Sequence, residues 1–162
     1  MSVDVVLPAL ANIEAEIQIG TVPNVITAKA FDDPPNSISG NLPCFVNLFG
    51  ESTIDMVKGG EDDKGIDIVE SCLYTATLYT AGAGTGIPGE KYDTLTQWIQ
   101  PATNVFLTHP SIGKLDGRII IMRYLGHGPA RGDLIYGGQQ YYGVPFRLKV
   151  ETRFRVTYAE NE

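Results

Sequence analysis

Long apolar runs are missing from these 162 residues, and that excludes a membrane-spanning helix, which needs about 18 or more in succession. The amino-terminal stretch carries Asp4 where an export signal carries a base, so no such signal is expected. Cysteine is scarce. Cys44 and Cys72 are the only two and read as buried thiols rather than a disulfide framework. Histidine is equally scarce, and His109 and His127 do not have the spacing of a metal-ligand cluster, so no metal is expected. Cations are in deficit as well: 12 Lys and Arg against 19 Asp and Glu give a net charge of −7. General coating of nucleic acid depends on many cations meeting phosphates and is therefore not expected.

Glycine and proline are plentiful, 18 and 10 residues, and favour a strand-rich or loop-rich fold. One domain spanning residues 1–162 is expected from the length. Val3, Val6, Leu10, Ile13 and Ile17 make a helical stripe. Pro8 interrupts it, which places the secure start of the helix near residue 8, with Gly20 as the stop. Residues 22–31 and 42–49 read as strands, and residues 71–80 as a central strand rich in β-branched and aromatic side chains. Between them, residues 50–70 hold seven acids and two lysines and read as a mobile excursion or a hairpin.

A second helix is expected from about residue 90, with Tyr92, Leu95, Ile99, Ala102 and Phe106 on one face. Pro101 kinks or splits it, and His109-Pro110 ends it. Residues 118–125 form a strand, residues 126–132 a turn, and residues 134–136 open its partner. From Phe146 to Tyr158 apolar and polar positions alternate, the pattern of a long strand with one buried and one wet face. The sum is an α+β fold: an antiparallel β-sheet with two helices packed on one face and an extended loop or hairpin at about residues 50–70.

Catalytic motifs are weak. Gly84, Gly86 and Gly89 match a dinucleotide-binding glycine pattern after a strand and before a helix. The acid that should follow about 20 residues later is absent, since Asn104 stands there, and Pro88 removes a phosphate-cradling amide. A small nucleotide binder or enzyme built on Gly84–Gly89 therefore ranks below a plain loop. A Cys44 or Cys72 nucleophile with a histidine base is opposed by the apolar surroundings of both thiols. Arg131-Gly132-Asp133 reads as a polar turn, and Glu61-Asp62-Asp63 lacks the ligand spacing of a calcium loop. No cofactor is expected, and no enzyme.

One charge feature stands out. Arg147, Lys149, Arg153 and Arg155, with Glu151 among them, line the wet face of the last strand. Stacked like charges repel unless something compensates them. The acids Glu61, Asp62, Asp63 and Asp67 of a neighbouring subunit are the candidate partners, which makes the strand face a candidate subunit interface and residues 50–70 a candidate contact loop.

The order of features also resembles a known family. A leading helix and an extended segment precede the strand opening at Asn41-Leu42-Pro43; the acidic excursion and a strand ending in Leu78-Tyr79 follow. Next come a helix ending in His109-Pro110-Ser111-Ile112-Gly113, then Tyr136-Gly137-Gly138, Tyr141-Tyr142-Gly143 and the strand from Phe146 to Val150. Over residues 5–157 this resembles the tail terminator (tail completion) proteins of long-tailed bacteriophages, the group of the lambda tail terminator. The resemblance implies a structural virion protein, made in the host cytoplasm, that forms a homohexameric ring at the head–tail junction. Such a ring caps the tail tube, ends its polymerisation and offers the surface for head joining. Its implied partners are itself, the tail tube protein and a head-completion or neck protein, with DNA passing through without specific binding. A head-completion or neck connector on the portal side is the related alternative.

Overall fold

The computed structural model describes residues 3–57, 65–84, 88–115 and 118–157. Three helices and nine strands follow in the order α1 (Val3–Glu14), β1 (Gln18–Ile19), β2 (Ile26–Thr27), β3 (Lys29–Ala30), β4 (Cys44–Val57), β5 (Gly65–Gly82), α2 (Pro88–Thr96), α3 (Ile99–Thr108), β6 (Ser111–Leu115), β7 (Arg118–His127), β8 (Arg131–Tyr136) and β9 (Gln139–Thr157). The principal sheet has the order β3-β4-β5-β9-β7-β6, and β8 pairs with the amino-terminal part of β9. Every pairing in it is antiparallel except β3 with β4. The fold is thus mixed α+β, with helical cover over a mostly antiparallel sheet.

The alternation in the last strand sets the layers. Phe146, Leu148, Val150 and Thr152 are buried, and across the ladder they meet Ala76, Tyr74, Cys72 and Glu70 of β5. Val6, Leu7, Leu10 and Ile13 of α1 close this face together with Leu95, Trp98, Ala102 and Phe106 of the α2–α3 segment. Phe106 stacks on Tyr124 and tilts against Phe146, which ties the helix layer to β7 and β9. A smaller core lies on the opposite face at one end of the sheet. There Ile38, Cys44, Val46, Tyr79 and Tyr141 pack beneath Phe31, Leu42, Leu134 and Tyr136.

Several expectations need correction. The first helix begins at Val3, and Pro8 lies inside it. A proline there forfeits the hydrogen bond to the carbonyl four residues back and crowds that carbonyl, a cost offset by burial of Val6, Leu7, Leu10 and Ile13. Ile17 is buried although it lies past the helix end. Gly20 is not the stop: the helix ends at Glu14 and β1 intervenes, and Gly20, at φ +87°, instead sits in the turn between β1 and β2, where a Cβ would collide with the Asn24 carbonyl oxygen. Residues 22–31 form two two-residue strands instead of one long one. The second helix is split, as expected, but at Gln97-Trp98, so Pro101 falls in the first turn of α3, where it is tolerated.

Further corrections fall in the second half of the chain. Strand β6 was not anticipated. The turn after β7 shrinks to residues 128–130, because β7 continues to His127 and β8 starts at Arg131. Gly137 and Gly138, at φ +57° and +82°, supply the two left-handed residues that a tight β8–β9 hairpin needs. The expected excursion at residues 50–70 is a hairpin, with its arms in β4 and β5, paired from Ser52↔Cys72 to Val57↔Asp67. Residues 58–64 lie outside the described residues.

Truncating the fully buried Trp98 should cost about 3–5 kcal/mol, the usual loss for a large aromatic in a packed core. The exposed Met56→Ala should stay within about 0.5 kcal/mol. Urea denaturation of the two variants checks the contrast.

Candidate functional site

The odd-numbered residues of β9 all face away from the helices. Arg147, Lys149, Glu151, Arg153 and Arg155 therefore share one open face, as the alternation requires. Strand pairing brings neighbours to the same surface. Thr75, Leu73, Ser71, Val69 and Asp67 of β5 stand opposite these five residues in order, and Arg123 of β7 stands opposite Lys149. Beyond β5 come Leu48, Thr53 and Asp55 of β4. Arg123 belongs to the site and was missed. Its signal was a cation inside the apolar run of residues 119–125, at the outward parity. Leu48, Leu73 and Leu125 add half-exposed apolar area.

The charges are partly compensated within the chain. Arg155 Nη1 donates to Asp67 Oδ1 at 3.3 Å, and Lys149 Nζ lies 3.6 Å from Glu151 Oε1. The pairs are partly exposed and contribute little to stability, of the order of 0–1 kcal/mol each. Arg123, Arg147 and Arg153 have no ion-pair partner among the described residues. Five cations meet four carboxylates (Glu51, Asp55, Asp67 and Glu151) here, while the chain as a whole carries −7, so the rest of the molecule is strongly acidic. Two shallow open concavities mark this region. One of about 230 Å³ is lined by Glu51, Thr53, Ser71, Leu73 and Lys149. The other, of about 400 Å³, lies by Asp67, Val69, Arg153 and Arg155.

Asp67, from the candidate contact loop, thus lies on the same face as the β9 cations of its own chain. Glu61, Asp62 and Asp63 lie outside the described residues.

The reverse face of the same arm carries an exposed apolar strip, with Glu70 standing between Ile54 and Thr152. Past the ends of the helices, Phe49, Ile54, Met56 and Val156 are 57%, 57%, 69% and 41% exposed. Met56 lines up with Ile68 and Phe154 across three strands, so these side chains form one strip. At about 4.8 Å between strands and 3.3 Å per residue, the strip covers roughly 300–350 Å². Among the described residues nothing pairs with the outer edge of β4 beyond Phe45, because β3 reaches only Cys44 and Phe45.

Other candidates resolve into structure. Arg131 holds Asp133 in a two-pronged ion pair, both contacts at 2.7 Å, within β8; the tripeptide lies in a strand and not in a turn. His109 Nδ1 faces the Val105 carbonyl at 2.8 Å and Nε2 faces Glu16 at 3.0 Å, which ties the end of α3 to the end of α1. His127 Nδ1 meets the Gly128 carbonyl at 2.6 Å. Cys44 and Cys72 are free thiols in the two separate cores. Burial pushes the Cys44 thiol up to about 12, with Lys29 pulling slightly the other way. Gly84, at φ +85°, lies two residues past the end of β5, Gly86 lies outside the described residues, and Gly89 lies in α2. Among the described residues no group of three or more His, Cys, Asp or Glu could hold a metal ion, and no helix is long and apolar enough to cross a membrane.

No protein-family model matches this chain, and no curated protein matches it in sequence.

A thiol as buried and as weakly acidic as Cys44 should resist a small disulfide reagent at about pH 8 in the folded protein and react on unfolding. Rapid labelling of native Cys44, located by peptide mass spectrometry, would contradict this environment.

Proposed function

We propose that the chain is a structural assembly subunit that closes into a ring, and that the ring caps the tail tube of a long-tailed bacteriophage at the head–tail junction. The observation that carries the assembly reading is the arm formed by β4, β5 and β9. One of its faces is an exposed apolar strip around Ile54 and Met56, and the other bears the unpaired Arg123 and Arg153 beside Leu73. A solitary molecule has little use for such an arm, and a neighbouring copy has two reasons to hold it.

Area decides how it must be held. The strip alone supplies less than half of the roughly 800 Å² per partner that a stable interface buries. Contact with both faces of the arm approaches that figure. The acidic remainder of the molecule complements the unpaired arginines, so a second copy suits the outer face. A contact of one patch with a different patch is heterologous and closes into a ring when the rotation per subunit is right. The assignment to tails rests on the family resemblance, and the tube protein and a head-completion or neck protein are the partners it implies.

Native mass spectrometry over a concentration series, with negative-stain imaging, tests the proposal. The expected species is a closed hexamer with a central hole, formed alone or on purified tail tubes. Ile54→Asp with Met56→Asp, and separately Arg153→Glu with Arg155→Glu, should each abolish the ring and leave a folded monomer. Because these positions are exposed, each substitution should change monomer stability by no more than about 1 kcal/mol. Rings that survive both pairs of substitutions would sink the arm as the interface. A chain that stays monomeric even on tail tubes would sink the ring.

A further inference from the structure

We propose that Glu14 is carried as a neutral carboxylic acid that closes a two-hydrogen-bond ring with Asn47, making the seat of α1 on the sheet a proton-dependent lock. Glu14 ends α1 and is fully buried, and Asn47 on β4 is equally inaccessible. Asn47 Nδ2 donates to Glu14 Oε1 at 2.6 Å. The other atom of each group, Glu14 Oε2 and Asn47 Oδ1, has no hydrogen-bond partner. With an ionised carboxylate both orphans are acceptors and neither can help the other. One proton on Oε2 turns it into a donor toward Asn47 Oδ1, and both orphans are satisfied together. A buried polar atom left unpaired is costly, so the proton removes two penalties at once.

Three further features favour the neutral form. Among the described residues no cation compensates the group: burial is the dominant influence and pushes Glu14 up to about 8, against a smaller pull from the Asn47 bond. The carbonyl end of a helix carries partial negative charge, which disfavours a carboxylate at its last residue. Among the described side chains, the elements around α1 bring no ionised group to it. Glu16, on the same segment, is exposed and pairs with His109 at the end of α3, a helix with no charged residue. Lys29 of β3 is exposed and bonded to Asn41, and Glu51 and Asp55 of β4 are exposed farther along that strand. Lys114 is the one charged residue of β6, and its side chain is outside those described.

The direction of the pH effect follows. The native state holds this proton at pH values where the unfolded chain, with an ordinary glutamate near 4.5, has released it. The stabilisation is full below the unfolded value, falls about tenfold in the folding constant per pH unit above it, and is lost once pH passes about 8. Glu14→Gln keeps both hydrogen bonds, because its amide donates to Asn47 Oδ1 and its carbonyl accepts from Nδ2, and it has nothing to titrate.

Denaturant unfolding of wild type and Glu14→Gln from about pH 4 to about pH 9 is the test, made at protein concentrations low enough to keep the chain monomeric. The expected result is a stability difference that swings toward the variant as pH rises, by about tenfold per unit, and then levels off. A difference that is flat across the range overturns the proposal. The second measurement uses wild type alone and so survives a misfolded variant: the carbon-13 shift of the Glu14 carboxyl followed against pH. A midpoint well above the usual carboxylate range supports the lock, and one within that range overturns it. Neither readout depends on ring formation.

Discussion

The ladder between β5 and β9 is the constraint on which the rest of the molecule depends. It runs from Gly65↔Thr157 to Gly82↔Tyr141 with a single irregularity, and every other strand of the main sheet except β3 and β6 pairs directly with one of these two. Strands of 18 and 19 residues span roughly 60 Å at about 3.3 Å per residue. The covering helices, of 12 and 10 residues, reach only about 15–18 Å at 1.5 Å per residue. Helix and strand lengths therefore cannot match. One end of the sheet is filled by the second core around Tyr79 and Tyr141, and the other runs on with both faces open. Exposure of Ile54 and Met56 follows from that mismatch of lengths.

The same ladder divides the chemistry by parity. Even positions of β9 supply the core, from Phe146 to Thr152, and odd positions place Arg147, Lys149, Arg153 and Arg155 on the opposite surface. A slip of one residue would bury four cations and expose the core face, so the register is strongly specified. Partners 59 to 92 residues apart must find each other to set this register, a contact pattern that folds slowly.

The division into layers was legible in the sequence because period-two alternation is a direct image of a half-buried strand. Residues 146–152 read correctly for that reason, and so did the central β5 segment with its β-branched and aromatic side chains. The residues of β4 past Gly50 were harder to read. Glu51 and Asp55 make the stretch look like a solvated loop, yet on a projecting arm a paired strand is solvated on both faces. Strand β6 carries Gly113 within five edge residues and gives no periodic signal. Arg123, Glu14 and Asn47 were hidden for a common reason: each is one polar residue in an apolar pattern, and composition absorbs it. Glu14 did carry a clue, since it lies three and four residues after Ala11 and Leu10 on the buried side of α1.

Open edges and open faces lead to different assemblies, and this chain treats them differently. Among the described residues the outer edge of β4 has no strand partner beyond Phe45, a liability because an unpaired edge can recruit strands without limit. Along that edge the pairing with β5 shifts register between Phe49 and Ser52, with Glu51 inside the shift and Asp55 three residues beyond it. A bulge and two carboxylates oppose addition of another strand. The arm's faces carry no comparable obstacle: one is apolar, the other bears unpaired arginines and leucines. In the proposed ring, association runs through faces, where the fit of one patch to another fixes an angle between subunits, and not through edges, where it could propagate indefinitely. A fixed angle is the physical requirement for a closed ring.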